Sequence, residues 1–518
     1  MRILFYNWVD YLDEEARGGG VSLYQRNVIK ALSHWPEVSL SFLSAGISHD
    51  LMSRKPRWEK LRHGPDSPGI PRFEIVNSGV LSPGHHSFGQ QAQTDHPETE
   101  AAFLDFLDQT GPYDIVHFNN LEGLPVSVLA LKRRFPQTRV IYAMHNYYPI
   151  CPQVNLWHQE RVSCTDFGLG RKCETCLEHQ YDARAIRLAH AVAYNLKIWG
   201  VRPGTRLFDR AFVPCLRLAR GALRVWRRTQ GRTTSAPLPG TDSARGPDAA
   251  QAGAVLRQLH LGSPVFQHRR QTFVERINTH CDLVLGVSER VCTLARHYGI
   301  RSDLLRTSYI GTCHADRFLQ TSPRQEMLAA DGTLTLAFLG YMRRDKGFFF
   351  LLDALEALPI DLARRIKLVL CARSSDTATM ARVAALCDRF REVSHADGYT
   401  QSDLDHILAT VDLGVIPVLW EDNLPQVAIE MHARRIPLLT SDLGGAHELS
   451  RCAALTFKAG DIADFHARLR AILHGGVTLD QYWSTAMAPR SNADHAAELL
   501  DLYHSLLAEA KMQRQGHA

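Results

Sequence analysis

A short basic loop follows one of the apolar runs of this chain. In the segment GYMRRDKG, at 340–347, Arg343, Arg344 and Lys346 stand between a predicted strand and a predicted helix. Cations at the start of a helix, where free main-chain amides point outward, suit the binding of an anion such as a phosphate. A solvated basic turn that binds no ligand is the alternative.

A second polar group follows a later apolar run. Asp422 and Asn423 end the loop after the run DLGVIPV, and Glu430 lies eight residues beyond Asp422 in a predicted helix. The next run ends in Gly444 and Gly445, and glycines there allow a tight turn or a close backbone approach to a ligand. Ligands of open parallel sheets bind outside the carboxyl ends of the strands, which places this group and the basic loop in one crevice. A helix cap and a surface glutamate are the alternatives for the two acidic residues.

Two histidines, His117 and His145, each end a predicted strand, in DIVHFNN and YAMHNYYP. A histidine in the crevice can donate a hydrogen bond to a ligand hydroxyl or share a proton near neutral pH. The chain contains 25 histidines, so a structural role is the alternative for either of them.

Four cysteines lie close together in the sequence, at Cys151, Cys164, Cys173 and Cys176. The last two have the Cys-x2-Cys spacing of structural zinc sites, and four thiolates can complete a tetrahedral shell. His158 or His179 can replace one of these ligands. A disulfide or redox pair and unliganded thiols stay open as alternatives, although the βαβ context of a thioredoxin-like motif is missing.

The positive charge of the chain is concentrated in one segment. Residues 182–232 hold twelve Arg or Lys against Asp182 and Asp209, whereas the whole chain has a formal charge of +5. Within 206–228, arginines recur mostly every three or four residues between apolar ones, which predicts a basic amphipathic helix. Such a helix suits an anionic membrane surface, or it packs on the first domain with its arginines in solvent. Nucleic acid is not expected as a partner, because no groove-reading module accompanies the charge.

Two stretches have the layout of the first unit of a βαβ domain, with an apolar strand, a turn containing glycine and a helical pattern. One begins at Arg2 and the other at Thr335. The short apolar runs that follow them are typical of parallel strands buried on both faces. These runs are 114–118, 139–145 and 282–287 in the first half and 367–372, 412–418 and 436–441 in the second. The chain is therefore predicted to be α/β, with two doubly wound, Rossmann-like domains that face each other across a crevice.

The predicted parts are an N-terminal domain at 1–315 with the cysteine cluster at 151–176 and an insertion at 180–265, a C-terminal domain at 333–475, and a helical segment at 476–518. Residues 229–253, rich in Gly, Pro, Ser, Thr and Ala, are predicted to form a linker. The 518 residues, 45% hydrophobic and 22% charged, suit a folded enzyme and exclude a disordered or collagen-like chain. No apolar run has the length of a membrane span and no signal peptide precedes the first strand, so we expect a cytoplasmic location.

These motifs resemble those of the retaining glycosyltransferases of the two-domain GT-B fold, group 1 type, which are related to bacterial sugar transferases and glycogen synthase. The resemblance spans nearly the whole chain apart from about 180–265. It implies that the turn made of Gly18, Gly19 and Gly20 lies against a donor diphosphate. Lys346 matches the family's phosphate-binding lysine. Tyr341 stands where the family has a phosphate-binding arginine, for which Arg343 is the candidate substitute, with Arg344 beside it.

The resemblance also implies how the donor sugar is held. Asp422 and Glu430 match the family's paired glutamates, which are separated by seven residues. By this match, Asp422 and the amides from Asn423 onward hold the donor sugar, and Glu430 binds the ribose hydroxyls. His145 matches the histidine that contacts the donor sugar near its anomeric carbon, and His117 matches a strand-end histidine. Asp422 and His145 are thus the expected catalytic residues.

The expected activity is the transfer of a sugar from a nucleoside-diphosphate sugar to a saccharide or lipid-linked acceptor with retention. The expected setting is bacterial surface or exopolysaccharide biosynthesis, in the cytoplasm or on the inner face of the membrane. The resemblance implies no metal cofactor for catalysis, so zinc is expected only as a structural ion at the cysteines. A GT-B nucleotide-sugar epimerase or hydrolase, and a catalytically inactive GT-B scaffold, are the alternatives.

Overall fold

The computed structural model describes residues 1–67, 69–177, 182–201, 203–212, 214 and 263–515. Most of the predicted basic helix at 206–228, the predicted linker at 229–253 and His179 lie outside the described residues. Within the described ranges, none of the helices combines the length and the apolarity that crossing a bilayer requires.

The strands are β1 (Arg2–Tyr6), β2 (Ser39–Ala45), β3 (Arg57–Lys60), β4 (Arg72–Val76), β5 (Ile115–Phe118), β6 (Arg139–Met144), β7 (Trp157–His158), β8 (Val162–Ser163), β9 (Leu283–Gly286), β10 (Leu305–Thr307), β11 (Leu334–Tyr341), β12 (Ile366–Arg373), β13 (Glu392–Ala396), β14 (Leu413–Ile416), β15 (Leu438–Ser441) and β16 (Thr456–Phe457).

The α-helices are α1 (Gly19–Leu32), α2 (Pro97–Thr110), α3 (Arg171–Glu174), α4 (Ala183–Ile198), α5 (Pro264–His280), α6 (Glu289–His297), α7 (Ala315–Gln320), α8 (Phe348–Glu356), α9 (Ile360–Ala363), α10 (Thr377–Ala385), α11 (Leu404–Leu408), α12 (Gln426–Ala433), α13 (Ile462–Leu473), α14 (Leu479–Trp483) and α15 (Asn492–Gln515). Short 3-10 helices lie at Gly84–Ser87, Gln91–Gln93, Val126–Arg133, Leu386–Asp388, Ala446–Leu449 and Ala453–Leu455, and a π-helical turn lies at Phe208–Phe212.

The strands form two large sheets and one small hairpin. The first sheet has eight strands in the order β10-β9-β6-β5-β1-β2-β4-β3, and the second has six in the order β13-β12-β11-β14-β15-β16. All neighbours are parallel except β3 and β4, and the hairpin pairs β7 with β8. The strand order reverses beside β1 and beside β11, so each sheet has a crevice at the carboxyl ends of its central strands. The prediction of two doubly wound α/β domains is confirmed.

The sequence explains why the central strands form where they do. The run RILFY of β1 is buried over its last four residues, and the runs of β9, β14 and β15 are buried throughout. A strand that is covered by helices on both faces needs apolar residues at successive positions, so continuous apolar runs predict it. The edge strand β3, with the sequence RWEK, is half-exposed and lacks this signal.

The last helix, α15, returns to the first domain and packs on α1. The Tyr24 hydroxyl on α1 lies 3.0 Å from Nε2 of His495 on α15. The Tyr503 hydroxyl, farther along α15, lies 2.7 Å from Nδ1 of His117 at the end of β5. The C-terminal segment therefore ties the two halves of the chain together.

Candidate functional site

Gly347 ends the basic loop after β11 and begins α8. Its φ angle is 71°, and a Cβ atom there would lie 1.6 Å from the carbonyl oxygen of Pro417, so this turn accepts only glycine. Lys346 directly precedes the turn, and its Nζ lies 2.8 Å from Oδ2 of Asp422 and 5.6 Å from the centre of the Trp420 ring. The loops after β11 and β14 thus meet at one charged pair.

The charge of Lys346 is set by this pairing. Burial alone would lower the pKa of its ammonium, but the Asp422 carboxylate outweighs burial and holds the pKa above its ordinary value. Lys346 is therefore a full cation at neutral pH. An ammonium has three donor hydrogens, so it can donate a hydrogen bond to a phosphate oxygen without leaving Asp422.

Glu430 lies on α12 and is 6% exposed. Burial raises its pKa, whereas the charge of Arg434 lowers it. Among the residues that the structure describes, Oε2 of Glu430 has no hydrogen-bond partner. A buried polar atom without a partner is costly, so a ligand hydroxyl that donates to it gains free energy.

The glycine pair after β15 packs against the loop that carries Asp422 and Asn423. A Cβ atom at Gly444, where φ is 73°, would lie 2.1 Å from the Asp422 carbonyl oxygen, and one at Gly445 would lie 2.2 Å from the Asn423 carbonyl oxygen. The Gly445 N–H also donates to the Asp422 carbonyl at 2.9 Å. The glycines therefore allow close approach between two loops of the chain itself, and this contact fixes the backbone under Asp422.

The first domain faces the same site. A Cβ atom at Gly20 would lie 3.9 Å from Cγ of Gln426, the first residue of α12. Gly19 precedes Gly20, and both are exposed. From the other domain, Nδ2 of Asn423 donates to the carbonyl oxygen of Met144 at 3.3 Å. The glycine turn and the end of β6 thus border the start of α12.

The two strand-end histidines have different environments. His117 is completely buried, and its pKa falls to about 3, chiefly through burial. His145 follows Met144, is half-buried, and has its ring 4.4 Å from that of Tyr24. Burial, and then the charge of His495, lowers the pKa of His145 to about 3. The His145 ring is therefore neutral near pH 7, where it can form hydrogen bonds but does not take up a proton.

The other two cations of the basic loop point to solvent. Nε of Arg343 donates to Oδ1 of Asp345 at 2.8 Å, and the Arg343 side chain is 65% exposed. Arg344 is exposed as well. The structure therefore brings Lys346 to the acidic loop, whereas Arg343 pairs within its own loop.

Three residues that the sequence analysis did not select join the two domains. Arg290 on α6 forms a two-pronged ion pair with Glu421, through Nε at 2.8 Å and through Nη2. Glu448 accepts hydrogen bonds from the N–H groups of Glu289 and Arg290, at 2.8 and 2.6 Å. The one available signal was position, because Glu421 directly precedes the predicted acidic pair and Glu448 follows the glycine pair.

The four clustered cysteines also come together. They line one small cavity, and that lining includes Cys151, Cys164, Cys173, Cys176, His158, Lys172 and Arg270. As the side chains stand, no three His, Cys, Asp or Glu residues in the described ranges are arranged to hold a metal ion. Zinc binding at these cysteines stays a prediction.

Comparisons with known proteins bear on the C-terminal domain and on the fold. Residues 333–475 match the model of the family described as "Glycosyl transferases group 1". No curated protein matches the chain significantly in sequence. Among solved structures, an α,α-trehalose 6-phosphate synthase from Burkholderia multivorans has a TM-score of 0.51 at 12% identity, with 98% of this chain and 99% of that chain covered.

Two further structures are similar in the same way. An α,α-trehalose-phosphate synthase (UDP-forming) from Burkholderia vietnamiensis has a TM-score of 0.51 at 12% identity, with 98% of this chain and 99% of that chain covered. HepE from Anabaena in complex with UDP has a TM-score of 0.48 at 12% identity, with 100% of this chain and 100% of that chain covered.

At this level of identity the structural likeness shows the fold alone. The fold is GT-B, because two α/β domains with parallel sheets align with these structures over nearly the whole chain. Residues 333–475, which match the model of group 1 glycosyl transferases, contain the second of the two sheets of this fold.

Proposed function

We propose that the crevice binds a nucleoside-diphosphate sugar and that the chain transfers the sugar to a saccharide or lipid-linked acceptor. The observation that carries the proposal is the contact of Lys346 with Asp422 after two strands of the second sheet, with the buried Glu430 on the helix that follows Asp422. Lys346 is paired with Asp422 at 2.8 Å, and Glu430 is buried with an oxygen that lacks a partner among the described residues. The match of residues 333–475 to group 1 glycosyltransferases supports the same site.

The charges suit the two ends of such a donor. The leaving diphosphate is an anion, and Lys346 together with the N-terminal ends of α8 and α12 stabilises it. The ribose offers hydroxyl donors, which the unpartnered Glu430 oxygen can accept. One solved relative in fold is named as UDP-forming, which makes UDP-sugars the first donors to test.

The sugar itself lies, in this proposal, between Asp422 and His145. Asp422 and the main-chain amides that follow it hold its hydroxyls, and the neutral His145 ring hydrogen-bonds near the anomeric carbon. We propose that transfer proceeds on the front face with retention, and that a phosphate oxygen of the donor accepts the proton of the acceptor hydroxyl. Because the pKa of His145 is lowered to about 3, its ring is a weak base at neutral pH. His145 therefore suits a contact that positions the sugar better than the role of a general base.

The acceptor is proposed to be a growing bacterial surface or exopolysaccharide on a lipid carrier. Large apolar side chains are exposed where the basic segment begins, with Leu188 at 60%, Trp199 at 72% and Leu207 at 57%. Such side chains next to a concentration of arginines favour contact with an anionic membrane. Sedimentation with phosphatidylglycerol vesicles at low salt should retain the native chain, and Trp199→Ala should weaken retention. Equal binding to neutral vesicles, or no binding, would contradict this part of the proposal.

The donor proposal is tested by the release of nucleoside diphosphate from UDP-, GDP- and ADP-sugars. We expect one donor to turn over, and Glu430→Ala to slow it by at least about tenfold, the value of a charge-assisted hydrogen bond. The control is Glu392→Ala on β13, whose side chain is 65% exposed. This variant should match the native chain.

Four outcomes would change the assignment. Turnover that does not depend on an added acceptor would indicate a hydrolase, and interconversion of the donor sugar an epimerase. A product with inverted anomeric configuration would exclude retention. Neither binding nor turnover of any donor would favour the inactive scaffold.

A further inference from the structure

The segment 151–177 contains the four clustered cysteines. It begins six residues after His145, the histidine that is expected to contact the donor sugar. All four thiol side chains line a single cavity of about 10 Å³. That volume is at the lower limit for one water molecule, so the cavity admits a single atom-sized guest. The four cysteines follow one another at separations of 13, 9 and 3 positions, and the fold brings all of them to this one cavity.

The segment has little regular structure to hold it in place. Its elements are the two-residue strands β7 and β8 and the four-residue helix α3. Nine non-glycine residues of the described chain have positive φ, and five of them lie in this segment. They are Val154, Leu156, Gln159, Glu160 and Leu169. Each such residue costs on the order of 1 kcal/mol, and the cost persists only where the surroundings over-determine the conformation.

Leu156 and Trp157 of the segment belong to the main core, but the part around the Cys-x2-Cys pair has little apolar packing to supply that constraint. Cys173 and Cys176 belong to a separate small cluster with Phe88 and Phe266, apart from the main core. Two of its four buried members are therefore the cysteines themselves. A small domain or segment without a core of its own is usually held by a disulfide or a structural metal.

The charges around the cavity suit thiolates bound to a divalent cation. Zinc with four thiolates carries a net charge of −2, and Lys172 and Arg270 line the same cavity. Arg270 is fixed there, since its guanidinium lies 3.5 Å from the centre of the Phe167 ring and its Nε donates to the Ile150 carbonyl at 2.8 Å. Lys172 and Arg270, at the wall of the cavity, offset the negative charge that remains on the four thiolates after zinc has bound.

A disulfide or redox role fits the surroundings less well. All four cysteines are free thiols in the structure. The Cys-x2-Cys pair also lacks the βαβ context of a thioredoxin-like redox motif.

We propose that Cys151, Cys164, Cys173 and Cys176 bind one structural Zn²⁺ in this cavity. Binding replaces four S–H bonds by four Zn–S bonds and releases four protons to solvent. In the structure Sγ of Cys176 donates to Oε1 of Gln153 at 2.8 Å, and Sγ of Cys164 to the Asp166 carbonyl at 3.7 Å. These thiols give up those hydrogen bonds and turn toward the cavity when the ion enters.

The zinc would anchor the segment to the rest of the first domain beside the crevice. The Tyr298 hydroxyl donates to the Cys164 carbonyl at 3.0 Å, and the Ser263 N–H donates to the Leu169 carbonyl at 2.8 Å. Ser263 begins the described chain that enters α5, so the same segment supports the start of that helix. The zinc is structural and acts on no substrate.

The test is the zinc content of the full-length chain, measured by inductively coupled plasma mass spectrometry after purification and after equilibration with one equivalent of zinc. The native chain should hold about one zinc, and Cys173→Ser should lose most of it. The control is Cys371→Ser, on β12 of the other domain and 1% exposed, which should keep the zinc.

A second measurement decides the matter if Cys173→Ser does not fold. Titration of the native chain with an organomercurial should release the zinc to a colorimetric chelator as about four thiols react. A native chain that holds no zinc after equilibration would overturn the proposal. So would a disulfide between any two of the four cysteines in peptide mass spectra without reduction, or equal zinc in Cys173→Ser and the native chain.

Discussion

At the scale of single residues, Lys346 and Asp422 form a charged pair in the crevice. The pair joins the loops after β11 and β14 at 2.8 Å, and the carboxylate keeps the ammonium charged despite its burial. Sequence could predict both residues, because a cation before a helix and an acidic residue after a strand are local patterns. It could not predict that Arg343 pairs with Asp345, since side-chain direction within a loop depends on the turn that Gly347 makes.

The first prediction concerns Lys346. Lys346→Ala should raise the Kd for a nucleoside diphosphate by about 10- to 100-fold, because a hydrogen bond to a charged group contributes about 1.5–3 kcal/mol. Calorimetric titration measures the change. The matched control is Lys367→Ala on β12, whose ammonium is 3.9 Å from Glu392. Equal affinities of the Lys346 variant and the native chain would show that this lysine is not a phosphate ligand.

At the scale of elements, the helix α15 fastens the C-terminal end of the chain to the first domain. The sequence analysis predicts a helical segment at 476–518, and within it the structure has this helix from Asn492 to Gln515. Its packing partner could not be predicted, because an apolar stripe specifies burial but not the surface that covers it. Two hydrogen bonds attach α15 to α1 and β5. They join Tyr24 to His495 and Tyr503 to His117, which lie 471 and 386 residues apart in the sequence.

The second prediction tests this attachment. Tyr503→Phe removes the hydroxyl that meets Nδ1 of the buried His117, and an unsatisfied buried polar atom costs about 1–3 kcal/mol. We therefore expect a fall of that size in the free energy of unfolding, measured by urea denaturation. His504→Gln, at an exposed position on the same helix, should leave stability unchanged. A Tyr503→Phe variant as stable as the native chain would mean that the bond contributes nothing.

At the scale of the whole molecule, the two domains are joined by charges from opposite sides of the crevice. Arg290 with Glu421, and Glu448 with the amides at the start of α6, make this junction. Continuous apolar runs predicted both sheets, whereas the serine-rich β2 and the polar β3 were missed because they lack such a run. The junction was missed for another reason, since its partners are 131 or more residues apart and no local pattern links them.

The third prediction concerns pH and the stability of the whole chain. Burial lowers the pKa of His49 and His432 to about 4 and that of His117 to about 3. The unfolded chain takes up these protons near pH 6.5 while the folded chain does not, so stability is complete above pH 6.5 and falls as the pH drops toward 4. Each histidine should contribute about 1.4 kcal/mol per pH unit in that window.

Urea denaturation at pH 7, 6 and 5 measures this loss. His49→Gln should reduce the dependence of stability on pH by the share of one histidine, because its ring no longer takes up a proton on unfolding. His474→Gln, at an exposed position after α13, should leave the dependence as it is. An identical pH dependence in the native chain and in His49→Gln would refute the assignment of a neutral, buried His49.

The central claim is that the crevice between the domains holds a nucleotide-sugar donor, and calorimetric titration of the native chain with UDP, GDP and ADP tests it most directly. We expect saturable binding of one nucleotide, weakened by about tenfold or more in Glu430→Ala and unchanged in Glu392→Ala. Binding that Glu430→Ala leaves intact would place the nucleotide elsewhere. The absence of binding by the native chain to all three would contradict the account.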